Sequence, residues 1–400
     1  MKRIYLQKAK NQIARPNTIR DINKQIVLNY VRERSPISRA EIARETELQR
    51  STVSAIVDEL QSVGLIEEIG IGNSTGGRKP TLLKLKVGNP VAIGVDLDPR
   101  QTTIALADLA GKVLEKEIFP TSPDAEFMTN QIVERVGKLT NRYKNLEVGI
   151  SVPGSVDQVT GKTLYIPYFH WHDEWDICRQ INKKLGIYAT IDNDANAIAL
   201  AELWFGREKM RRITNFITVL VSQGIGTGIV FEGQVYRGEK GAAGEFGHML
   251  LGIDSPIQCS CGGYSCWESH ASESATIARY QKSFGNNQSN ASLVTLPMII
   301  SLAEQGEKQA IESLRESAKF LGIGIANLIV GLSPQAVIIS GEIIKAWDII
   351  KDEILAVAER GIIRDLPHPA IMASTLGDNP TLIGALSLVL ARKFASASKN

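Results

Sequence analysis

The chain has 400 residues, 44% of them hydrophobic, with 45 Lys/Arg against 43 Asp/Glu and four cysteines. That composition excludes a disordered chain and a disulfide framework, and leaves room for two or three domains with a substantial core. The basic start, MKRIYLQKAKNQIARP, is followed by no apolar run, and later apolar stretches are broken by Gly or charge well short of a span, so a cytoplasmic protein without membrane attachment is expected.

Ile19, Ile22, Ile26 and Tyr30 recur with the helical period, predicting an amphipathic helix over 17–34 that ends before Pro36. Ser38 followed by Glu41 is a capping-box pattern that starts a second helix running to about Thr46, with Leu48 plugging the turn. From Arg50, the apolar residues Val53, Ile56, Val57 and Leu60 share one face and turn Arg50, Ser51, Thr52, Ser54 and Asp58 outward. Short polar side chains and an Arg at a helix start suit base edges, while the helix end itself favours phosphate. Gly64 ends this helix. Leu65-Ile66 and Leu82-Leu83 then flank GIGNSTGGRKP, a glycine-rich hairpin tip.

Residues 1–86 are thus predicted to form a winged helix-turn-helix, with Arg39, Gln49, Arg50, Ser51, Thr52, Ser54, Gly77, Arg78 and Lys79 as candidate DNA contacts. A protein-interaction winged helix and a merely solvated hairpin are the alternatives. Charge favours DNA: residues 1–86 carry 16 Lys/Arg and 9 Asp/Glu, a net +7, whereas residues 87–400 carry 29 and 34, a net −5.

Beyond residue 86, strands are expected over 90–108, 147–154, 189–192, 216–222 and 336–340, separated by helical patterns such as 195–204 and 311–330. The alternation predicts an α/β architecture. Cys259, Cys261 and Cys266 fall within eight residues of a chain with four cysteines, and Gly262 and Gly263 let that loop fold around an ion. Thiolates in such a cluster suit a closed structural zinc site better than unrelated buried thiols. Cys178 stands apart as a small buried hydrophobe.

EFGHM at 245–249, followed by CSCGGYSCWE at 259–268, closely resembles the zinc signature of the ROK family, which comprises repressors, open reading frames and sugar kinases. The resemblance runs from about Asp21 to Leu390. PISRAEIA, STVSAIVDEL, GLI and GGRKP place the chain with the repressor branch, most like xylose-type repressors. It implies a two-lobed, actin-like sugar-kinase fold over 87–400, with a lobe boundary near 195 and a C-terminal helix returning to the first lobe, giving an α+β multidomain chain. It implies one structural zinc per chain with His248 as the fourth ligand. It also implies a sugar site made by Gly154, Asn193, Asp194, Glu245, His248 and Glu268, in which Asp194 stands where a kinase keeps its base. Carboxylates and an amide are suitable partners for a polyol, although the same groups could simply cap turns around the zinc loop.

One segment departs from the kinase pattern. Where family kinases have a turn like Asp-x-Gly-Gly-Thr, this chain has Asp96-Leu97-Asp98-Pro99-Arg100, which adds a negative charge, removes an N–H donor and lacks the threonine hydroxyl. Loss of catalysis is expected. SQGIGTGIV keeps Gly224, Gly226 and Gly228, as a nucleotide relic or as packing glycines. YFHWHDEW, residues 168–175, is expected to cover the cleft rather than stack on a sugar ring. The overall expectation is a homodimer or dimer of dimers that reads a pseudo-palindromic operator and responds to a monosaccharide, with no enzymatic activity. An active sugar kinase with a DNA-binding appendage and a repressor controlled by a protein partner are the rivals.

Overall fold

The computed structural model describes residues 16–72, 79–167, 169, 175–206, 210, 213–283, 294–362 and 367–395. The chain opens with α1 (Pro16–Arg34), β1 (Ile37–Ser38), α2 (Arg39–Thr46), α3 (Arg50–Ser62), β2 (Ile66–Ile71) and β3 (Thr81–Leu85). The predicted capping box starts α2: the Glu41 N–H donates to Ser38 Oγ, while the Ser38 N–H donates 2.8 Å to Glu41 Oε2. The three strands form a small sheet in the order β1-β3-β2, with β2 and β3 as the wing.

The expected face of α1 needs correction. Its fully buried residues are Val27, Leu28 and Val31, while Ile22, Ile26 and Tyr30 are half-buried. The reason is that α1 has two partners, the helix-turn-helix on one side and the C-terminal helix on the other, so a single stripe does not describe it.

The next elements are β4 (Pro90–Leu97), β5 (Gln101–Asp108), β6 (Val113–Pro120), α4 (Ala125–Arg142), β7 (Glu147–Val152), β8 (Ser155–Asp157), β9 (Lys162–Tyr165), α5 (Ile177–Leu185) and β10 (Ala189–Asn193). Their main sheet has the order β10-β7-β4-β5-β6, parallel across β10, β7 and β4 and antiparallel from β4 to β6. Then follow α6 (Asp194–Phe205), β11 (Phe216–Val221), β12 (Ile225–Phe231), β13 (Gln234–Tyr236), α7 (Trp267–Ala271), α8 (Glu273–Lys282), α9 (Leu296–Glu304), α10 (Lys308–Leu332), β14 (Ala336–Ser340), α11 (Trp347–Arg360), β15 (Ala370–Ala373) and α12 (Pro380–Ala395). The second large sheet runs β13-β12-β11-β14-β15. Two lobes, each built on one of these sheets, therefore face each other across the β10–α6 junction.

The last helix, α12, returns to the first lobe and lies on β4 and β7. The approach is close: a Cβ on Gly94 would stand 2.8 Å from Leu386 Cγ, and one on Gly149 would collide with the Ala385 carbonyl. One apolar cluster joins Val27, Leu28, Val31, Ile56 and Leu60 to Leu386, Val389, Leu390 and Phe394. The helix-turn-helix and the C-terminal helix thus share a core.

Trp175 and Phe169 are the described residues of the 168–175 segment. Trp175 is buried in the core of the first lobe, where its indole N–H donates 2.8 Å to Thr129 Oγ1, and Phe169 joins the same cluster. Both side chains are thus spent on the core of the first lobe. Trp171, His170 and His172 lie outside the described residues. Cys178 packs at the edge of that core, and burial pushes its thiol up to about 12.

Candidate functional site

On the helix-turn-helix, Val53, Ile56, Val57 and Leu60 are buried and hold α3 to the domain. Gln49, Arg50 and Ser51 are exposed at its start, and Thr52 and Ser54 are half-buried. Gln49 caps α3 without a side-chain bond, which leaves the first N–H groups for an incoming phosphate. Arg39, a candidate DNA contact, is engaged within the domain. Its guanidinium lies 2.7 Å from Asp58, 3.0 Å from Gln61 and 3.3 Å from Glu68, so it ties α2 to α3 and the wing. Lys79 is exposed beside the wing, while Gly77 and Arg78 lie outside the described residues.

The cleft between the lobes gathers the sugar-site candidates. Asn193 caps α6: its Oδ1 accepts from the Ala195 and Asn196 N–H groups, and its Nδ2 donates 2.8 Å to the Gly154 carbonyl. One N–H of the amide remains for a ligand. Gly154 has φ +93°, and a Cβ there would collide with the Tyr165 carbonyl, so only glycine fits this turn. Glu245 is half exposed and accepts from Ser155 Oγ at 3.1 Å, joining the second lobe to the first. Asp194 follows Asn193, and burial, reinforced by Asp96, Glu245 and Asp98, pushes its carboxyl up to about 7. Asp96 is also raised to about 7 by burial, although Thr381 Oγ1 donates to it at 2.7 Å.

Next to this group, one ligand atom each from His248, Cys259, Cys261 and Cys266 lies within 4.8 Å of all the others. One imidazole and three thiols in that compact arrangement can hold a metal ion, and the donor set fits a tetrahedral centre. His248 presents Nδ1 to the cluster, 3.3 Å from Cys259 Sγ, and Nε2 to Glu245 at 3.9 Å. Glu268 is buried and turned toward the loop: it accepts from Cys259 Sγ at 2.8 Å, Ser260 Oγ at 3.1 Å and the Ile225 N–H at 3.3 Å.

The turn after β4 spends backbone donors on itself. Pro99 has no N–H, the Asp98 N–H donates to the Gln101 carbonyl at 3.2 Å, and the Arg100 N–H donates to Asp98 Oδ1 at 2.8 Å. The Asp98 and Arg100 donors are thus spent within the turn itself. Gly226 and Gly228 meet α6 closely: Cβ atoms there would stand 2.9 Å from Ala195 Cβ and 2.7 Å from Ala199 Cβ. Their absence of side chains is explained by packing.

The ROK family profile matches residues 92–392, and a MarR family profile matches residues 26–74. The chain belongs to the ROK family. Among ROK proteins it is 31% identical to the xylose repressor of Bacillus spizizenii, covering 94% of this chain and 97% of that one. It is 30% identical to the DNA-binding transcriptional dual regulator NagC of Escherichia coli, covering 94% of each. A solved ROK transcriptional regulator, a homologue of the E. coli MLC protein, superposes with a TM-score of 0.78 at 25% identity, over 94% of this chain and 97% of that one. A ROK glucokinase from Streptomyces griseus, solved with glucose and AMPPNP, superposes at 0.66 with 28% identity over 74% of this chain and 98% of its own. The fold is therefore a MarR-like winged helix followed by the ROK sugar-kinase fold.

Sequence reasoning missed several residues that this ROK cleft uses. Ser155, beside the turn glycine, carries the bond to Glu245. Arg237 grips the buried Asp192 at 2.7 and 2.9 Å and so links β10 to the second lobe. Arg100 reaches Glu273 at 3.1 Å. Each is a long-range pairing with no local signature; only the position of Ser155, next to Gly154, offered a hint.

Proposed function

We propose that the chain is a homodimeric, sugar-responsive transcriptional repressor of carbohydrate-utilisation genes whose kinase-like cleft senses sugar without transferring phosphate. The observation that carries this reading is the self-bonded turn at Asp98-Pro99-Arg100, set beside a sugar-facing cleft that still gathers Asp194, Glu245 and His248. A general base with no phosphoryl donor has no reaction to assist, but its carboxylate can still accept a hydroxyl.

The Asp194 and Glu245 carboxylates would accept sugar hydroxyls, and the remaining Asn193 N–H and the Nε2 side of His248 would complete the set. Zinc would be held by His248 Nδ1 and the thiolates of Cys259, Cys261 and Cys266, where it would order the loop that presents Glu245 and Glu268. Exposed Leu250, Ile253 and Tyr264 give that loop an apolar face for a second copy, and a two-fold dimer matches half-site reading. Gln49, Arg50, Ser51, Thr52, Ser54 and Lys79 would meet the operator.

Sugar can release operator only if it binds the DNA-bound arrangement more weakly. Xylose, N-acetylglucosamine and glucose are the first probes. A gel shift on an operator selected from random DNA is expected to show release by one of them; retention at saturating concentrations of all three overturns the inducer reading. An ADP-release assay with the same sugars is expected to give no turnover.

A further inference from the structure

We propose that Arg32 senses the offset between α6 and α12, and that it is the residue through which sugar in the cleft reaches the DNA-reading domain. The proposal rests on the sugar-responsive reading above and adds the route of coupling.

Helix α6 starts in the cleft wall, at Asn193 and Asp194, and ends ten residues later near Trp204, about 15 Å away at the usual helical rise. It is a stiff buried rod: Ala195, Ala197, Ile198, Ala199 and Ala201 have no exposed surface. One side packs on β11 and β12 of the second lobe, and the other lies against α12, which is seated on the first lobe. At the crossing of the two helices the backbones come close over small residues: a Cβ on Gly384 would stand 2.9 Å from Ala197 Cβ. Rotation of the lobes is therefore expressed as a slide of α6 along α12.

At the far end of both helices, Trp204 of α6 and Phe394 of α12 stack with centroids 5.5 Å apart and planes at 23°. The Arg32 guanidinium of α1 stands over both rings, 4.2 Å from the Trp204 centroid and 5.0 Å from that of Phe394. Asn29, one turn earlier on α1, donates to the Phe394 carbonyl at 3.3 Å. Cation–π attraction is confined to about 6 Å from the centroid, so a slide of an ångström or two strengthens one ring contact and weakens the other. Helix α1 passes the displacement on, because Arg20 and Lys24 pair with Glu59 of α3 at 3.0 and 2.6 Å.

The test is a linkage square: operator affinity with and without the effective monosaccharide, and monosaccharide affinity with and without operator, for the full chain and for Arg32→Met, Arg32→Lys and Trp204→Phe. Arg32→Met keeps the packed stem and removes the charge. It is expected to leave operator affinity without sugar and sugar affinity without operator within about threefold, while the coupling factor falls about tenfold, within the usual range of allosteric couplings. Arg32→Lys, which keeps a cation, is expected to retain part of the coupling, and Trp204→Phe provides an independent reading should Arg32→Met not fold. Undiminished coupling in these variants overturns the relay and leaves the sugar-responsive reading standing. Absence of coupling in the unaltered chain overturns both.

Discussion

Arg100 and Glu273, 173 residues apart in sequence, meet across the cleft, with Arg100 Nη2 3.1 Å from Glu273 Oε1. Arg100 belongs to the self-bonded turn after β4, and Glu273 is the first residue of α8 in the opposite lobe. The pair therefore bridges the lobes beside the Asp98-Pro99-Arg100 turn. Because Arg100 is 61% exposed, such a pair contributes at most about 1 kcal/mol and is screened by salt. Glu273→Gln is accordingly expected to weaken sugar binding by no more than about fivefold, with the loss shrinking at high salt. Calorimetric titration at two ionic strengths checks this; equal affinities at low salt would show that the pair does not hold the lobes together.

Ligand-induced stabilisation separates sensor from kinase. Anything that binds only the folded state raises its melting temperature. The effective monosaccharide is expected to raise the Tm, whereas a non-hydrolysable ATP analogue with magnesium is expected to leave it unchanged. A shift with nucleotide would mean that the Asp98-Pro99-Arg100 turn does not block the phosphates.

The carboxyls of Asp96 and Asp194, both raised from 3.8 to about 7, give stability a pH dependence of definite sign. Between about pH 4 and 7 the folded chain holds protons that the unfolded chain has released, so these groups make stability fall as pH rises through that window and level off above it. Asp194→Asn keeps the side chain's shape and removes the charge beside Asp96, Asp98 and Glu245. The variant is expected to melt higher than the parent at pH 8 and to show a shallower decline from pH 4. Parallel melting curves across the series would contradict this.

Loss of a thiolate should affect metal and sugar together. Cys261→Ser is expected to lower bound zinc, measured by elemental analysis, and to weaken sugar affinity in parallel, because the same loop presents His248, Glu245 and Glu268. Normal sugar affinity in a zinc-free preparation would separate the two sites.

Arg50 and Arg39 should fail in different ways. Arg50→Ala, at the exposed start of α3, is expected to cost about 1–3 kcal/mol on the operator and to relax preference at one base pair. Arg39→Ala is expected to lower the Tm and weaken all DNA sequences alike, since Arg39 holds Asp58, Gln61 and Glu68 in place. A sequence-specific loss with Arg39→Ala would return it to the DNA-reading face.

Features set by neighbours in sequence were legible before the structure. The Ser38–Glu41 box, the buried stripe of α3 and the Cys259–Cys266 cluster each depend on spacings of a few residues, and the geometry agrees with the pattern. Features set by distant partners were not. Arg39 reads in sequence as a candidate DNA contact, and nothing local shows the acids 19 and 29 residues away that hold it. Asn193 looked like a sugar ligand, although most of its amide is engaged as a helix cap and a support for Gly154. Gly226 and Gly228 fit two readings in sequence, and the close approach of α6 supplies a packing reason that the sequence does not show.

The apolar cluster that joins α1 to Leu386, Leu390 and Phe394 gives two distant stretches of the chain one interior. Apolar surface shared in this way makes loss of structure cooperative across the seam, so the winged helix and α12 are expected to melt in one transition. Removing α12 would strip part of the winged helix of its interior as well as uncovering the first lobe.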